Sequence, residues 1–120
     1  MSTEAKQVSY PFGHADVQEL APGAETIKVV VDNIKTILKV GPTGAATINL
    51  AVAKSQRIGA ELVIEVTQPT TGRNINLGEG FATSAANLTG VANDVDVLTL
   101  VYDGVEYRPT STWQKVVDAA

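Results

Sequence analysis

Residues 94–107, DVDVLTLVYDGVEY, contain the clearest β-hairpin signal in the chain. Apolar and polar residues alternate in this stretch, and Asp103-Gly104 separates the longer run from a shorter one. A period of two places successive side chains on opposite faces of a strand, and Asp-Gly is a preferred turn between paired strands. The stretch therefore predicts a long strand that ends at a tight turn and a short strand that pairs back.

The same alternation recurs upstream, with Gly, Pro, Asn or Asp at the breaks. It is present in TIKVVV, IKTILKV, TINLAVA, ELVIEVTQ and RNINLGEG, and none of these runs has the period of a long amphipathic helix. Asp32-Asn33 is a plausible two-residue turn between the first two runs, and TWQKVVDAA is either a last short strand or a tail. About eight short strands are typical of an all-β fold, and we expect an antiparallel β-sandwich of jelly-roll type.

The first 24 residues differ in composition from the rest. Pro and Gly interrupt this polar stretch, so the sequence predicts an extended N-terminal arm over residues 1–24 and a β-sandwich domain over residues 25–120. Tyr10, Phe12, Val17 and Leu20 are the apolar residues of the arm. They either close one end of the domain or bind a partner, and we take them as the candidate partner-binding residues.

Composition excludes several classes of function. The net charge of −4 and scattered basic residues argue against nucleic-acid binding. The chain has no cysteine, which excludes disulfides and thiolate metal sites. No apolar run is long enough for a membrane helix, and the first residues do not read as a signal peptide. We therefore expect neither a nucleic-acid nor a membrane partner.

No catalytic constellation is recognisable. His14 is the only histidine and lies in the predicted arm, where it is poorly placed for a triad or a metal site. Asp94 and Asp96 share a strand face and could in principle serve glycoside hydrolysis or part of a calcium loop, but the other elements of both sites are missing. We expect them to protect a strand edge and Asp103 to shape the turn. The sequence thus predicts no enzymatic activity, no metal and no cofactor.

One strand candidate is apolar on both faces. Val29, Val30 and Val31 follow one another, whereas one face of a thin sandwich should be wet. Either the arm or another subunit would cover the second face. The predicted oligomer interface comprises Val29, Val31, Ile37 and Val63.

Two stretches, GAELVIEVTQPTTGRNINLGEGF and DVLTLVYDGVEYRP, resemble small β-sandwich domains of tailed-bacteriophage virion proteins. These domains include head decoration proteins, head-fibre proteins and tail-fibre modules, and the resemblance covers roughly residues 45–110. It implies a trimeric, jelly-roll-like module without enzyme activity, made in the host cytoplasm and assembled into the virion.

Two functions follow from this resemblance. The first is a capsid decoration protein that docks on the major capsid protein, or on another virion protein, through its N-terminal arm. The alternative is a tail-fibre or carbohydrate-binding module for host attachment. Glycan binding would require Trp113, Tyr102 or Tyr107 to be exposed beside carboxylates.

Overall fold

The computed structural model describes residues 15–117, which form nine strands and no helix. The strands are β1 Asp16–Leu20, β2 Thr26–Val31, β3 Lys35–Val40, β4 Ala46–Val52, β5 Glu61–Thr67, β6 Ile75–Leu77, β7 Val95–Tyr102, β8 Tyr107–Pro109 and β9 Gln114–Val117. The all-β prediction is confirmed. Within this part of the chain, no helix has the length and hydropathy needed to cross a membrane.

The first six strands alternate between two sheets. Sheet A has the order β1-β3-β5-β7-β8, with β9 also on β7, and sheet B has the order β2-β4-β6. Each strand from β1 to β4 pairs in parallel with the strand two positions later, while β5–β7, β7–β8 and β7–β9 are antiparallel. The prediction of antiparallel pairing is therefore confirmed for β7 with its three neighbours and is wrong for the four pairs among β1–β6. The sandwich and jelly-roll topology stay predictions.

The predicted hairpin at Asp32-Asn33 is also wrong, because these residues lead from sheet B to sheet A. Parallel strands usually read as continuous apolar runs because both of their faces are covered. Here the outer face of each sheet carries polar residues, so the parallel strands alternate as antiparallel ones do. The alternation correctly predicted strands, but it does not identify the partner with which each strand pairs.

The core lies between the sheets, and its layers follow the strand register. Buried side chains of both sheets form one hydrophobic cluster. On sheet A, Gln18 of β1 lies beside Leu38 of β3, which lies beside Ile64 of β5. Leu38 and Ile64 are fully buried, and each contributes about 1.5–3 kcal/mol by leaving water. The inward-facing side chains at this level thus change from apolar to polar at β1, which is the edge strand of sheet A.

Part of the predicted arm is a strand. Asp16–Leu20 forms β1 and pairs with β3, so these five residues of the predicted arm belong to sheet A. Five residues with one β-branched member give a weak local signal, and hydrogen bonding to β3 determines the conformation. Tyr10, Phe12 and His14 lie outside the described residues. The division into an arm and a domain remains a prediction.

The hairpin predicted within residues 94–107 is confirmed. Tyr102 at the end of β7 pairs with Tyr107 at the start of β8, and residues 103–106 form the turn. In the C-terminal stretch, residues 114–117 form a strand, β9, which pairs with β7.

Candidate functional site

Three connections meet at one end of the molecule, which we call the loop end: residues 32–34, 53–60 and 103–106. The first crosses between the sheets, the second leads from β4 to β5, and the third is the β7–β8 turn. The backbone N–H of Gly59 donates to the carbonyl of Tyr102 at 2.8 Å, and the N–H of Tyr102 donates to the carbonyl of Ala60 at 2.9 Å. The second and third connections are thereby held together.

Gln56 links the loop end to the core. Its Nε2 donates to the hydroxyl oxygen of Tyr107 at 2.8 Å and to the carbonyl of Asn33 at 2.9 Å. Tyr107 is fully buried, and its ring centroid lies 5.1 Å from that of Tyr102. Burial raises the pKa of the Tyr107 hydroxyl, while the bond from Gln56 opposes that shift. The Gln56 side chain therefore connects the loop of residues 53–60 to the crossing at residues 32–34 and to the core.

The β7–β8 turn is rigid because Asp103 closes it. Its Oδ1 accepts the backbone N–H groups of Val105 at 2.8 Å and Glu106 at 2.9 Å, and its Oδ2 accepts a bond from the Arg108 guanidinium. The N–H of Glu106, then that of Val105 and then Arg108 lower the pKa of the Asp103 carboxyl to about 2. The expected role of Asp103 in shaping the turn is confirmed.

Three aliphatic side chains of the loop end are exposed, and Ile34 is the least exposed of them at 52%. Ile58 is 76% exposed and Val105 is 81% exposed. Gly104, with a φ of 101°, lies under Ile58: a Cβ added there would be 3.2 Å from Ile58 Cδ1. Lys54 and Arg57 are exposed in the same loop. The result is an exposed apolar surface with charges of both signs beside it, because Asp32 and Asp103 are exposed in the two neighbouring connections.

The aromatic residues considered for glycan binding are buried or hydrogen-bonded within the protein. Tyr107 is buried, so it cannot be a glycan platform. Tyr102 is half-buried and its hydroxyl donates to the Gly104 carbonyl at 3.1 Å. Trp113 is half-buried and its indole N–H donates to the Ala86 carbonyl at 2.8 Å. Glycan binding stays a prediction that now depends on Tyr102 and Trp113.

The carboxylate pair lies at the opposite end of β7 and faces the core. Asp94 is only 2% exposed, Asp96 is buried, and the Nζ of Lys115 lies 2.6 Å from Asp94 Oδ2. Burial raises the pKa of Asp96, the charge of Asp94 adds to this shift, and Lys115 opposes it. The expected role in protecting a strand edge is wrong, because β7 has β5 on one side and β8 and β9 on the other. Residues 15–117 contain no group of acidic or histidine side chains that could hold a metal ion.

The predicted interface residues separate into two groups. Val29 and Val31 are buried in the core, so they are not available to a subunit. Ile37 and Val63 lie side by side on the outer face of sheet A, where both are half-buried.

The two predicted partner-binding residues of β1 also differ from each other. Val17 lies beside Ile37 on the outer face of sheet A and is 51% exposed, whereas Leu20 packs against the core. Ile58, Val105 and Gln56 were not predicted from the sequence. An aliphatic residue after Arg57 and another directly after the Asp103-Gly104 turn were the available signals.

The chain matches a known protein family. Residues 23–107, more than two-thirds of the chain, match the model of the family described as "Putative phage tail fibre C-terminal domain". The matched range begins just before β2 and ends at the first residue of β8, so it includes β2 to β7 and the loop end but not β1 or β9. Searches of curated proteins and of solved structures gave no significant match.

Proposed function

The chain belongs to the phage tail fibre C-terminal domain family, and from this we propose that it is a structural module of a tail fibre that acts in host attachment. Membership makes it a structural protein of a tailed-phage virion. It favours the tail-fibre alternative of the sequence analysis, and it gives no support to capsid decoration. The family match is the observation that carries the proposal.

The loop end is the surface proposed to meet the host. Attachment needs side chains that are already ordered, because ordering them on contact costs about 0.5–1.5 kcal/mol for each flexible side chain. Ile58 and Val105 are branched side chains on connections fixed by Gln56 and Asp103. Lys54 and Arg57 add positive charge in a chain of net charge −4. Asp32 and Asp103 lie on the same loop end, so the surface presents both signs of charge around its apolar side chains. This combination suits a partly apolar host surface that also carries charges of both signs.

Competition for adsorption tests this function. Purified protein added before the phage should lower the adsorption rate of the virion to its host. The double variant Ile58→Asp/Val105→Asp should lose this inhibition. Val30→Asp is the matched control, since Val30 is 55% exposed but lies on the outer face of sheet B.

A second measurement determines the position of the protein on the virion. Antibody against the chain should label the tail in electron micrographs. Label on the head would contradict the proposal and return capsid decoration to consideration. Equal inhibition by the loop-end variant would retain the tail-fibre function and reject the loop end as its contact surface. We propose in addition that the chain forms a homotrimer and has no enzyme activity.

A further inference from the structure

The outer face of sheet A has an apolar row between two charged rows. Val17, Ile37 and Val63 lie next to one another across β1, β3 and β5, and Thr99 of β7 continues the row. No described element covers this face: the core lies on its other side, and β8 and β9 extend the sheet beyond β7. Three adjacent β-branched side chains are thus presented on one open sheet face.

The charged rows alternate in sign from strand to strand. Toward the C-terminal ends of the parallel strands, Glu19, Lys39 and Glu65 are adjacent in register. On the other side of the apolar row, Lys35 Nζ lies 3.6 Å from Glu61 Oε1. Lys39 forms no ion pair within residues 15–117, although it has a carboxylate strand-neighbour on either side. The sign of charge therefore differs between β3 and β5 in both rows.

We propose that copies of this chain pack in a closed ring through this face, with β3 of one copy against β5 of the next. The symmetry axis of this ring runs parallel to the strands and lies outside sheet A, over the gap between β3 and β5. Rotation about this axis does not shift a residue along the strand direction. Residues in register within one copy then meet between copies. Lys39 meets Glu65 of the next copy, and Ile37 meets its Val63.

Charge complementarity is the reason for assigning a second copy to this face. The same rotation places Lys35 against Glu61 of the next copy, so both charged rows pair with opposite sign around the apolar row. An unrelated partner would have to reproduce this alternation independently, whereas a second copy supplies it by symmetry. The contact goes beyond the proposed attachment function and does not depend on it.

The first test compares two aspartate substitutions at exposed or half-exposed positions on opposite sheets. Light scattering should give the unaltered chain a mass at least twice that of one chain of 12.6 kDa. Ile37→Asp should reduce this to one chain, while Val30→Asp on the outer face of sheet B should leave it unchanged. A single-chain mass for the unaltered protein, or equal assembly by Ile37→Asp, would overturn the proposal.

The second test does not require a destabilising change. Unlabelled and heavy-isotope-labelled chains are refolded together and treated with a carbodiimide, which joins a lysine to a contacting carboxylate. A Lys39–Glu65 cross-link should contain peptides of mixed label, because it joins two copies.

The ion pair of Lys28 and Glu79, 3.6 Å apart on sheet B, is the internal control and should cross-link only within one label. A Lys39–Glu65 cross-link found only within one label would reject the ring. This result would hold even if Ile37→Asp failed to fold.

Discussion

Lys115 Nζ lies 2.6 Å from Oδ2 of the buried Asp94, which joins β9 to the residue immediately before β7. Asp94 and Asp96 bring two carboxyl groups into the interior, and Lys115 is the cation that faces them. The last strand therefore contributes more than backbone pairing: it compensates charge at one end of the core.

Replacing Lys115 by Met should destabilise the fold by about 1–2 kcal/mol. Breaking a fully buried ion pair costs ~3–5 kcal/mol, and the 44% exposure of the Lys115 side chain reduces this value through solvent screening. Urea unfolding followed by circular dichroism measures the change. Lys28→Met, which removes an exposed pair, is the control and should cost less than about 1 kcal/mol. Equal effects of the two substitutions would contradict the assigned role of Lys115.

Replacing Asp96 by Asn should stabilise the protein at neutral pH. Burial and the nearby Asp94 raise the pKa of Asp96, so the folded chain holds this proton to higher pH than the unfolded chain. The stability that Asp96 contributes is complete below its unfolded-state pKa, near 3.8, and is lost as pH rises through the folded value. The advantage of Asp96→Asn should therefore grow between about pH 4 and pH 7 in thermal melts. A constant difference would show that the carboxyl is not titrating in this range.

Replacing Asp103 by Ala should have the opposite pH dependence. The folded-state pKa of about 2 means that the ionised carboxylate stabilises the turn above the unfolded-state pKa near 3.8. That contribution is lost as pH falls through about 2. The melting temperature of Asp103→Ala should thus be lower than that of the unaltered chain at neutral pH, and the difference should shrink in acid. A difference that persists unchanged in acid would mean that hydrogen-bond geometry alone determines the effect.

Replacing Gly90 by Ala should destabilise the connection between β6 and β7. A Cβ at this position would lie 2.2 Å from the carbonyl oxygen of Arg73, and backbone cannot move aside as a flexible side chain can. Overpacking of this kind costs about 1–3 kcal/mol in unfolding measurements. Gly41→Ala is the matched control, because nothing lies within 4 Å of its added Cβ, and it should be close to neutral.

Local features of the fold were predictable from the sequence, whereas strand partners were not. The Asp103-Gly104 turn and the pairing of Tyr102 with Tyr107 follow from chemistry within a few residues. Asp32-Asn33 has equally good turn residues but leads to the other sheet, because the choice depends on which surfaces the whole chain can bury.

The candidate sites show the same division. Ile37 and Val63 were named together and do lie in register on one face. Val29 and Val31 were predicted at an interface because the apolar run suggested that both faces of the strand are covered. Their side chains instead point into the core, and only Val30 between them is exposed. Gln56 could not be found from sequence, because its partners Asn33 and Tyr107 are distant along the chain.

The alternation of strands between two sheets also has a kinetic consequence. Asp16 pairs with Thr36 and Ala46 pairs with Ile75, so parallel partners are separated by about 20 to 29 residues. Each pairing requires the closure of a long loop before its contacts form, and folds of this kind commonly take milliseconds to seconds. The β7–β8 hairpin needs no such closure and can form within about 1–10 μs. We therefore expect the hairpin to order first, and the parallel layers to assemble in the slow phase, when their unpaired strands are most open to aggregation.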